Sequence, residues 1–159
     1  MDFMFRPEPT NRFLTSFVFK GLPGFPFSVP SPLDIAFQQI SGLNQTLGVT
    51  QFSEGGENAR NQYFATKTQH GSLILTRGVM TVTPLALVFD RVMQGGQLIY
   101  ADVVILLLNH LALPVCGWTI SNALPVSWKT AELNANASSI AVNTMELKYQ
   151  DIHRMGIQA

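Results

Sequence analysis

The residues with the widest chemical repertoire in this chain are three histidines, one cysteine and an Asp-x-His pair: His70, His110, His153, Cys116 and Asp151. A metal site needs several such ligands at short spacing, and the sequence contains neither an H-x-x-x-H nor a C-x-x-C pattern. Asp151 and His153 could belong to a hydrolase triad, but no G-x-S-x-G nucleophile motif accompanies them. The sequence therefore predicts no enzyme, no metal site and no cofactor.

Paired glycines at positions 55 and 56 suggest a phosphate-binding site, because glycine-rich loops can bind phosphate. Residues 54–58 read E-G-G-E-N, which lacks the Lys-Ser/Thr pair of a phosphate loop and a helix directly behind it. Arginine and lysine total only 10 in the chain and do not cluster, which argues against tight binding of nucleic acid. Residues 51–79 are better interpreted as a hairpin arm, in which a strand, a polar loop broken by these glycines and an apolar strand follow one another.

Composition leaves two explanations open. Charged residues make up 13% of the chain, hydrophobic residues make up 47%, and the net charge is zero. An ordinary soluble domain has about a quarter charged residues, so either partners cover much of this surface or a monomer has a large apolar core. Cys116 is the only cysteine, which excludes an intramolecular disulfide and is typical of a reducing compartment.

Nothing in the sequence predicts secretion or membrane insertion. The first ten residues lack the layout of a signal peptide. The longest uninterrupted apolar run, residues 103–108, is far shorter than the ~20 residues of a membrane helix. We therefore expect a soluble protein that is made in the cytoplasm and has no membrane anchor.

Hydrophobic periodicity predicts a mainly β protein with one helix. Strands are expected over residues 11–19, 35–41, 47–54, 101–109, 115–129 and 138–149 and in the hairpin arm, about seven or eight in all. Thr83 and Pro84 begin a helix that ends near Gln94, and residues 1–10 should be a flexible tail on a single domain spanning residues 1–159.

Three of these strands carry more specific expectations. The strand over 101–109 is apolar on both faces and should be central and covered on each side. The segment 115–129 should break near Leu124-Pro125. A switch of apolar parity predicts a bulge, or a crossing between environments, within 138–149.

Six stretches, in order along the chain, resemble the tail-tube proteins of contractile phage tails and related contractile injection systems. They are R-F at 12–13 with the strand that follows, S-G-L-N at 41–44, F-S-E-G-G-E-N at 52–58, H-G-S-L at 70–73 through L-T-R-G-V at 75–79, W-T-I-S-N-A-L-P-V-S-W at 118–128 and L-N-A-N-A-S-S-I-A-V-N-T-M-E-L at 133–147. Each stretch is short, but their order and spacing over residues 11–153 make the resemblance specific.

The resemblance implies a β-sandwich or barrel-like tail-tube fold, similar to that of the haemolysin-coregulated proteins, with one flanking α-helix. It implies a structural, non-enzymatic role. Hexameric rings joined through a continuous inner β-barrel would stack into a hollow tube, which conducts DNA or protein cargo without specific binding when the sheath contracts.

The same resemblance implies particular partners and a place of assembly. The partners would be further copies of the chain, the sheath protein, the tape-measure protein, the baseplate hub or initiator and the tail terminator, and assembly would take place in the cytoplasm of a bacterial host. Two alternatives stay open: a tube-initiator ring protein at the baseplate and, from a different class, a monomeric β-barrel ligand-binding domain.

Two sets of residues would carry this role. The loop around residues 55–67 is expected to reach neighbouring subunits or rings through Glu54, Gly55, Gly56, Glu57, Asn58 and Arg60. Uncharged polar residues are expected to line the lumen: Gln38, Gln39, Asn44, Gln45, Thr46, Thr50 and Gln51. A neutral polar wall would not retain a polyanion, whereas a wall of lysines would bind it in a salt-dependent way.

Overall fold

A computed structural model describes residues 12–22, 29–31, 34, 37–56, 59–78, 82–109, 111–136 and 141–156. Ten strands and one helix lie within these ranges. The strands are β1 (Arg12–Lys20), β2 (Val29–Ser31), β3 (Gln39–Ser41), β4 (Gln45–Phe52), β5 (Gln62–His70), β6 (Ser72–Gly78), β7 (Tyr100–Leu108), β8 (Pro114–Thr130), β9 (Val142–Lys148) and β10 (Asp151–Gly156). The helix α1 spans Pro84–Met93, between β6 and β7. The predicted mainly β fold with one flanking helix is confirmed.

Strand β8 belongs to two sheets at once. Its first half pairs with β7 on one side and β10 on the other, in a sheet ordered β2-β1-β7-β8-β10 that we call sheet A. Its second half pairs with β9, in a sheet ordered β8-β9-β6-β3 that we call sheet B. All these pairings are antiparallel, and only Tyr149 and Gln150 separate β9 from β10.

The passage of β8 from one sheet to the other occurs at Asn122. This residue has φ 51°, a left-handed conformation that asparagine tolerates better than most residues do. Its backbone N–H donates to Asp102 Oδ1 at 3.0 Å, and its Oδ1 accepts from Lys20 Nζ at 3.2 Å. Lys20 Nζ also lies 2.6 Å from Asp102 Oδ2, and Asn122 Nδ2 donates to Gln150 Oε1 at 2.9 Å. Polar side chains from three segments therefore hold the corner.

One hydrophobic core lies between the sheets and beneath α1. Because side chains alternate along a strand, every second residue of the central strands points into it. It includes Phe17, Phe19, Val103, Ile105 and Ile120 from sheet A, Leu73, Leu75, Met145 and Leu147 from sheet B, and Leu85, Val88 and Phe89 from α1. Burial of each such leucine- or phenylalanine-sized side chain contributes roughly 1.5–3 kcal/mol.

The helix begins and ends at the residues that its sequence predicts. Thr83 is the N-cap and accepts from the Ala86 N–H at 3.4 Å, and Pro84 occupies the first turn. Gly95, which follows the C-cap, has φ 77° and stops the helix in the left-handed conformation that glycine adopts freely. The Phe89 ring meets the Trp128 ring edge-on at a centroid distance of 5.4 Å, so α1 lies against β8.

A buried ion pair ties the start of α1 to sheet B. Arg77 donates through Nη1 to Asp34 Oδ1 and through Nη2 to Thr83 Oγ1, both at 2.6 Å. Asp34 Oδ2 accepts the Leu85 N–H at 2.9 Å, which satisfies a donor that the first helical turn cannot satisfy internally. The Arg77 guanidinium also lies 5.4 Å from the centroid of the Phe37 ring. The two charged side chains are only 5% and 0% exposed, so each supplies the counter-charge of the other.

Two strands differ from the prediction because their side chains are mostly exposed. The expected polar loop over residues 55–67 becomes strand β5 from Gln62 onward, and every residue of β5 except His70 is exposed. The last strand is β10 and not the segment 138–149, because Asp151–Gly156 continues the sheet with Ile152 as its only buried residue. Apolar and polar residues alternate in a strand that buries one face. Neither β5 nor β10 buries a whole face, so neither shows the alternation from which a strand is predicted.

Two further expectations are corrected in detail. Strand β7 is central, between β1 and β8, but it buries only one face, and the alternate residues are half-buried. The described part of the last predicted segment, β9, pairs with β6 without a register shift. The irregularity lies in its partner β8, between Pro125 and Ser127, where a break was expected at Leu124-Pro125. Residues 1–10, 35–36 and 138–140 lie outside the described residues.

We expect Arg77→Met to lower the free energy of unfolding by about 3–5 kcal/mol, because the buried Asp34 carboxylate would lose the guanidinium that lies 2.6 Å from it. Lys20→Met is the matched control. Its pair with Asp102 joins side chains that are 42% and 31% exposed, and such a pair contributes about 1 kcal/mol or less. Urea titrations followed by circular dichroism measure both values. Equal losses in the two variants would contradict the role given to the buried pair.

Candidate functional site

Strands β4 and β5 form a two-stranded ribbon that no other described strand joins. At about 3.4 Å per residue, the eight residues of β4 give it a length of about 27 Å. Its large hydrophobic side chains are unusually open to solvent: Leu47 53%, Val49 58%, Phe52 51%, Tyr63 59% and Phe64 56% exposed. Isolated two-stranded hairpins are at best marginally stable in water, so this ribbon is the part of the described chain most in need of a covering partner.

The two faces of the ribbon have different chemistry. The register pairs Leu47 with Thr68, Val49 with Ala65 and Gln51 with Tyr63, which places these side chains together on what we call the aliphatic face. The opposite face, which we call the polar face, carries Thr46 opposite Gln69, Thr50 opposite Phe64 and Phe52 opposite Gln62. Near the tip of the polar face, the Phe52 and Phe64 rings meet edge-on at a centroid distance of 6.2 Å.

A β-bulge interrupts the ribbon at Gly48. The register shifts between Leu47 and Val49, so β5 contributes one extra residue there. A Cβ atom at Gly48 would lie 2.3 Å from Thr66 Oγ1 and 3.2 Å from Lys67 O. A larger residue there would force the Thr66 side chain to turn, so glycine eases the close approach of the two strands at the bulge.

The base of the ribbon is fixed to the body of the protein. Tyr149, at the junction of β9 and β10, donates its hydroxyl to Gly42 O at 2.7 Å and lies 3.2 Å from Asn44 O. The Gly71 N–H donates to Asn44 O at 3.2 Å. Gly42 has φ 85°, and a Cβ atom there would meet Ser72 O at 1.6 Å. The S-G-L-N and H-G-S-L stretches of the sequence thus meet in one tight crossing beneath the ribbon.

The residues predicted to contact other subunits lie at the tip of the ribbon. Glu54, Gly55 and Gly56 are exposed in the turn after β4, and Arg60 is exposed shortly before β5. Gly56 has φ 106°, whereas Gly55 has open space where a side chain would stand. Glu57 and Asn58 lie outside the described residues.

The residues predicted to line a lumen divide among several positions. Gln38 and Gln39 lie at the start of β3, and Asn44 lies at the base of the ribbon. On β4, Thr46 and Thr50 belong to the polar face. Gln45 and Gln51 belong to the opposite side of the same strand, because alternate residues point to opposite faces.

Sequence reasoning missed three residues that share a row with Gln39. The register of sheet B aligns Gln39 with Thr76, Thr76 with Thr144 and Thr144 with Lys129, on the face opposite the core. Thr76 could have been found from the alternation of Leu73 and Leu75 with polar neighbours, whereas Thr144 requires the strand pairing.

The described residues hold no catalytic arrangement that we can recognise. Among them, no group of three or more His, Cys, Asp and Glu side chains converges to hold a metal ion. Asp151 Oδ2 and His153 Nε2 lie 2.9 Å apart at an exposed position. A cavity of about 350 Å³ lies beside α1, between Phe19, Leu22, Leu87 and Ile99, and not between the sheets. No helix in the described ranges is long and apolar enough to cross a membrane.

Comparison with known proteins identifies close relatives of this arrangement. The family model described as T4-like virus tail tube protein gp19 matches residues 23–153. A chain in the cryo-EM structure of the anti-feeding prophage baseplate, 6-fold symmetrised, is 48% identical, with a TM-score of 0.86 over 98% of this chain and 100% of its own length. No curated protein sequence matches the chain significantly.

Two other solved structures share the fold at lower identity. A chain in the sheath-tube complex of the extracellular contractile injection system PVC, in its extended state, is 23% identical, with a TM-score of 0.73 over 95% of this chain and 93% of its own. A chain in the anti-feeding prophage tube terminating cap is 22% identical, with a TM-score of 0.72 over 99% and 100% of the two chains. At this identity the likeness concerns the fold alone.

We expect Tyr149 to make stability depend on alkaline pH. Burial, opposed by backbone hydrogen bonds at Asn44 and Gly71, raises the pKa of the Tyr149 hydroxyl above its ordinary value. The stability that this shift supplies is present below the ordinary tyrosine pKa of about 10 and is lost as the pH rises through the higher folded-state pKa. Tyr149→Phe should remove that part of the alkaline loss and cost about 1 kcal/mol at pH 7 through the lost hydrogen bond.

Urea titrations between pH 7 and 11 measure this dependence. Tyr63→Phe is the control, because the Tyr63 side chain is exposed on the ribbon. An identical alkaline profile for Tyr149→Phe and the parent protein would contradict the prediction.

Proposed function

This chain belongs to the family of T4-like virus tail tube proteins, whose model matches most of its length, and we propose that its copies close into hexameric rings that stack as a hollow conduit. It is a structural tail tube protein of the kind found in phage tails and contractile injection systems. The single observation that carries the ring proposal is the uncovered ribbon on a rigid base.

The ribbon supports self-assembly on energetic grounds. Three large hydrophobic side chains on its aliphatic face, Leu47, Val49 and Tyr63, are each more than half exposed. Covering such a side chain fully contributes roughly 1.5–3 kcal/mol, so a neighbour that covers even part of the ribbon gains several kcal/mol. The base is already ordered by Tyr149, Gly42 and Gly71, so little conformational entropy is lost when a neighbour docks. The low charge of the chain fits a surface that other copies cover.

We assign the two faces of the ribbon different neighbours. The aliphatic face would pack against protein, because Leu47, Val49 and Tyr63 gain most from burial there. The polar face, with Thr46, Thr50 and Gln69, would continue the row of Gln39, Thr76 and Thr144 across sheet B and face the lumen. Apart from Lys129 at the end of that row, the wall would present neutral hydroxyl and amide groups, which let DNA or protein cargo pass without retaining it.

The tip of the ribbon would contact the next ring. Glu54 and Arg60 offer charges of opposite sign at the end of an arm about 27 Å long, and the turn at Gly55 and Gly56 leaves its backbone accessible. Such a tip would link rings along the tube axis.

A place at the baseplate end of the tube is the more specific candidate. The 48% identical chain comes from a baseplate structure, whereas the chain from the PVC sheath-tube complex is 23% identical. An initiator ring there would contact the baseplate hub on one side and main tube subunits on the other. A subunit within the shaft would instead contact sheath, tape-measure protein and, at the far end, the terminator.

We expect the concentrated, purified chain to form rings with six-fold symmetry and a central channel, visible by negative-stain electron microscopy. Single rings or short stacks would favour the initiator, and long tubes would favour the main tube subunit. Gly55→Val, which has room for its side chain, should form rings that no longer stack. A monomer at all concentrations, even with baseplate template present, would contradict the proposal and favour the monomeric ligand-binding domain.

We expect lysines at Gln39 and Thr50 to slow cargo passage while rings still form. Each added cation on the lumen wall would bind passing phosphates, so delivery by assembled particles should fall about tenfold or more at low salt and recover as salt rises. Gln51→Lys is the matched variant on the other side of β4 and should weaken ring assembly instead. If all these lysines changed passage equally and left assembly intact, the assignment of the faces would be wrong.

A further inference from the structure

Strand β10 presents an outer edge that no other described strand covers. The Ile152 carbonyl accepts a hydrogen bond from a side chain outside the sheet, so it points away from β8. Backbone groups alternate in direction along an antiparallel strand, so Arg154 and Gly156 also direct their N–H and C=O groups outward. Such an edge can template the addition of a strand from another molecule.

The first rung of this edge is already occupied by side chains. Gln45 Nε2, from the base of the ribbon, donates to Ile152 O at 2.7 Å. The Ile152 N–H donates to Asp151 Oδ1 at 2.8 Å. The second carboxylate oxygen of Asp151 lies 2.9 Å from His153 Nε2, which restrains the carboxylate in this position. Both outward backbone groups of Ile152 are therefore satisfied within the subunit.

The hydrogen-bonding edges of the ribbon carry no comparable cap among the described residues. The one side-chain hydrogen bond between the two arms there joins Gln51 Nε2 and Asn61 Oδ1 at 3.2 Å, and it leaves the outward backbone groups of β4 and β5 open. The first rung of the β10 edge is thus capped, whereas the edges of the ribbon are not. Proteins that must avoid edge-to-edge association protect the edge that should not pair.

We propose that Gln45 and Asp151 form an edge guard that closes β10 to strand addition by a second copy of this chain. The guard directs association to the ribbon, and in that respect it deepens the proposed ring assembly and rests on it. It also gives Gln45 a role different from the lumen-lining one that the sequence suggests, because its amide is engaged at Ile152. Beyond the guard, the charged side chain of Arg154 discourages pairing at the next outward position.

The test first removes the side chains that cap the β10 edge and then blocks the same edge with a proline. We expect the double variant Gln45→Ala/Asp151→Ala to associate irregularly at concentrations about tenfold below those at which the parent protein associates, since each lost cap frees one strong backbone group. Sedimentation velocity and negative-stain microscopy measure this shift. Tyr149→Phe removes a hydrogen bond at the base of the ribbon, leaves the caps on Ile152 in place and is the control for a loosened ribbon.

Arg154→Pro, added to the Gln45→Ala/Asp151→Ala background, provides the rescue. It removes an outward N–H without touching the bonds between β10 and β8, and it should reverse the irregular association. Arg154→Ala in the same background keeps the N–H and should not reverse it. Circular dichroism verifies that each variant is folded.

Each outcome decides between the hypotheses. Unchanged association of the Gln45→Ala/Asp151→Ala variant would overturn the guard. Irregular association that Arg154→Pro reverses no better than Arg154→Ala would also overturn it, because a loosened ribbon would then be the cause. If the parent protein never forms rings and the rescue still works, the guard stands and the ring proposal fails.

Discussion

The geometry of the whole molecule depends on one polar corner. Asn122 adopts a left-handed backbone conformation, its N–H donates to Asp102, and β8 passes there from sheet A into sheet B. The strands that pair with β8 on this side follow the same turn, so β9 ends and β10 begins at Tyr149 and Gln150. That turn places the Tyr149 hydroxyl beneath the ribbon. The backbone conformation of Asn122 thus determines where the ribbon is anchored.

The protein combines a rigid frame with an uncovered arm. Its core is satisfied internally, including the buried charges of Asp34 and Arg77. The ribbon is the reverse case, because its backbone is ordered while most of its apolar surface faces solvent. In an ordinary monomer that combination would be a liability for aggregation. In the proposed ring, burial of this surface by a neighbouring subunit would contribute to the free energy of binding.

Local signals allowed part of this to be predicted from sequence. Thr83, Pro84 and Gly95 define α1 through rules that act within a few residues. Partial alternation predicted β1, and apolar runs predicted β6 and β7. Strands β5 and β10 could not be predicted in this way, because exposed strands carry no burial pattern. The pair of Asp34 and Arg77 spans 43 residues and depends on tertiary contact.

At the candidate site, too, the sequence identified residues but not their three-dimensional arrangement. Sequence identified a set of uncharged polar residues and the glycine turn at the tip, and both lie on or beside the ribbon. It could not tell which face of β4, that of Thr46 and Thr50 or that of Gln45 and Gln51, is the polar one, because the residues that β5 adds to each face depend on the register and the bulge. The contact between Gln45 and Ile152 joins residues 107 positions apart, and it became visible only in three dimensions.

The bulge at Gly48 has a consequence for the shape of the arm. A bulge increases the right-handed twist of a strand pair, so the surface beyond it no longer lies in the plane of the surface below it. Leu47, on the base side of the bulge, and the Gln51–Tyr63 pair, near the tip of the same face, therefore point in different directions. The ribbon could therefore contact two neighbouring subunits whose surfaces lie at an angle to each other, as the curvature of a closed ring requires.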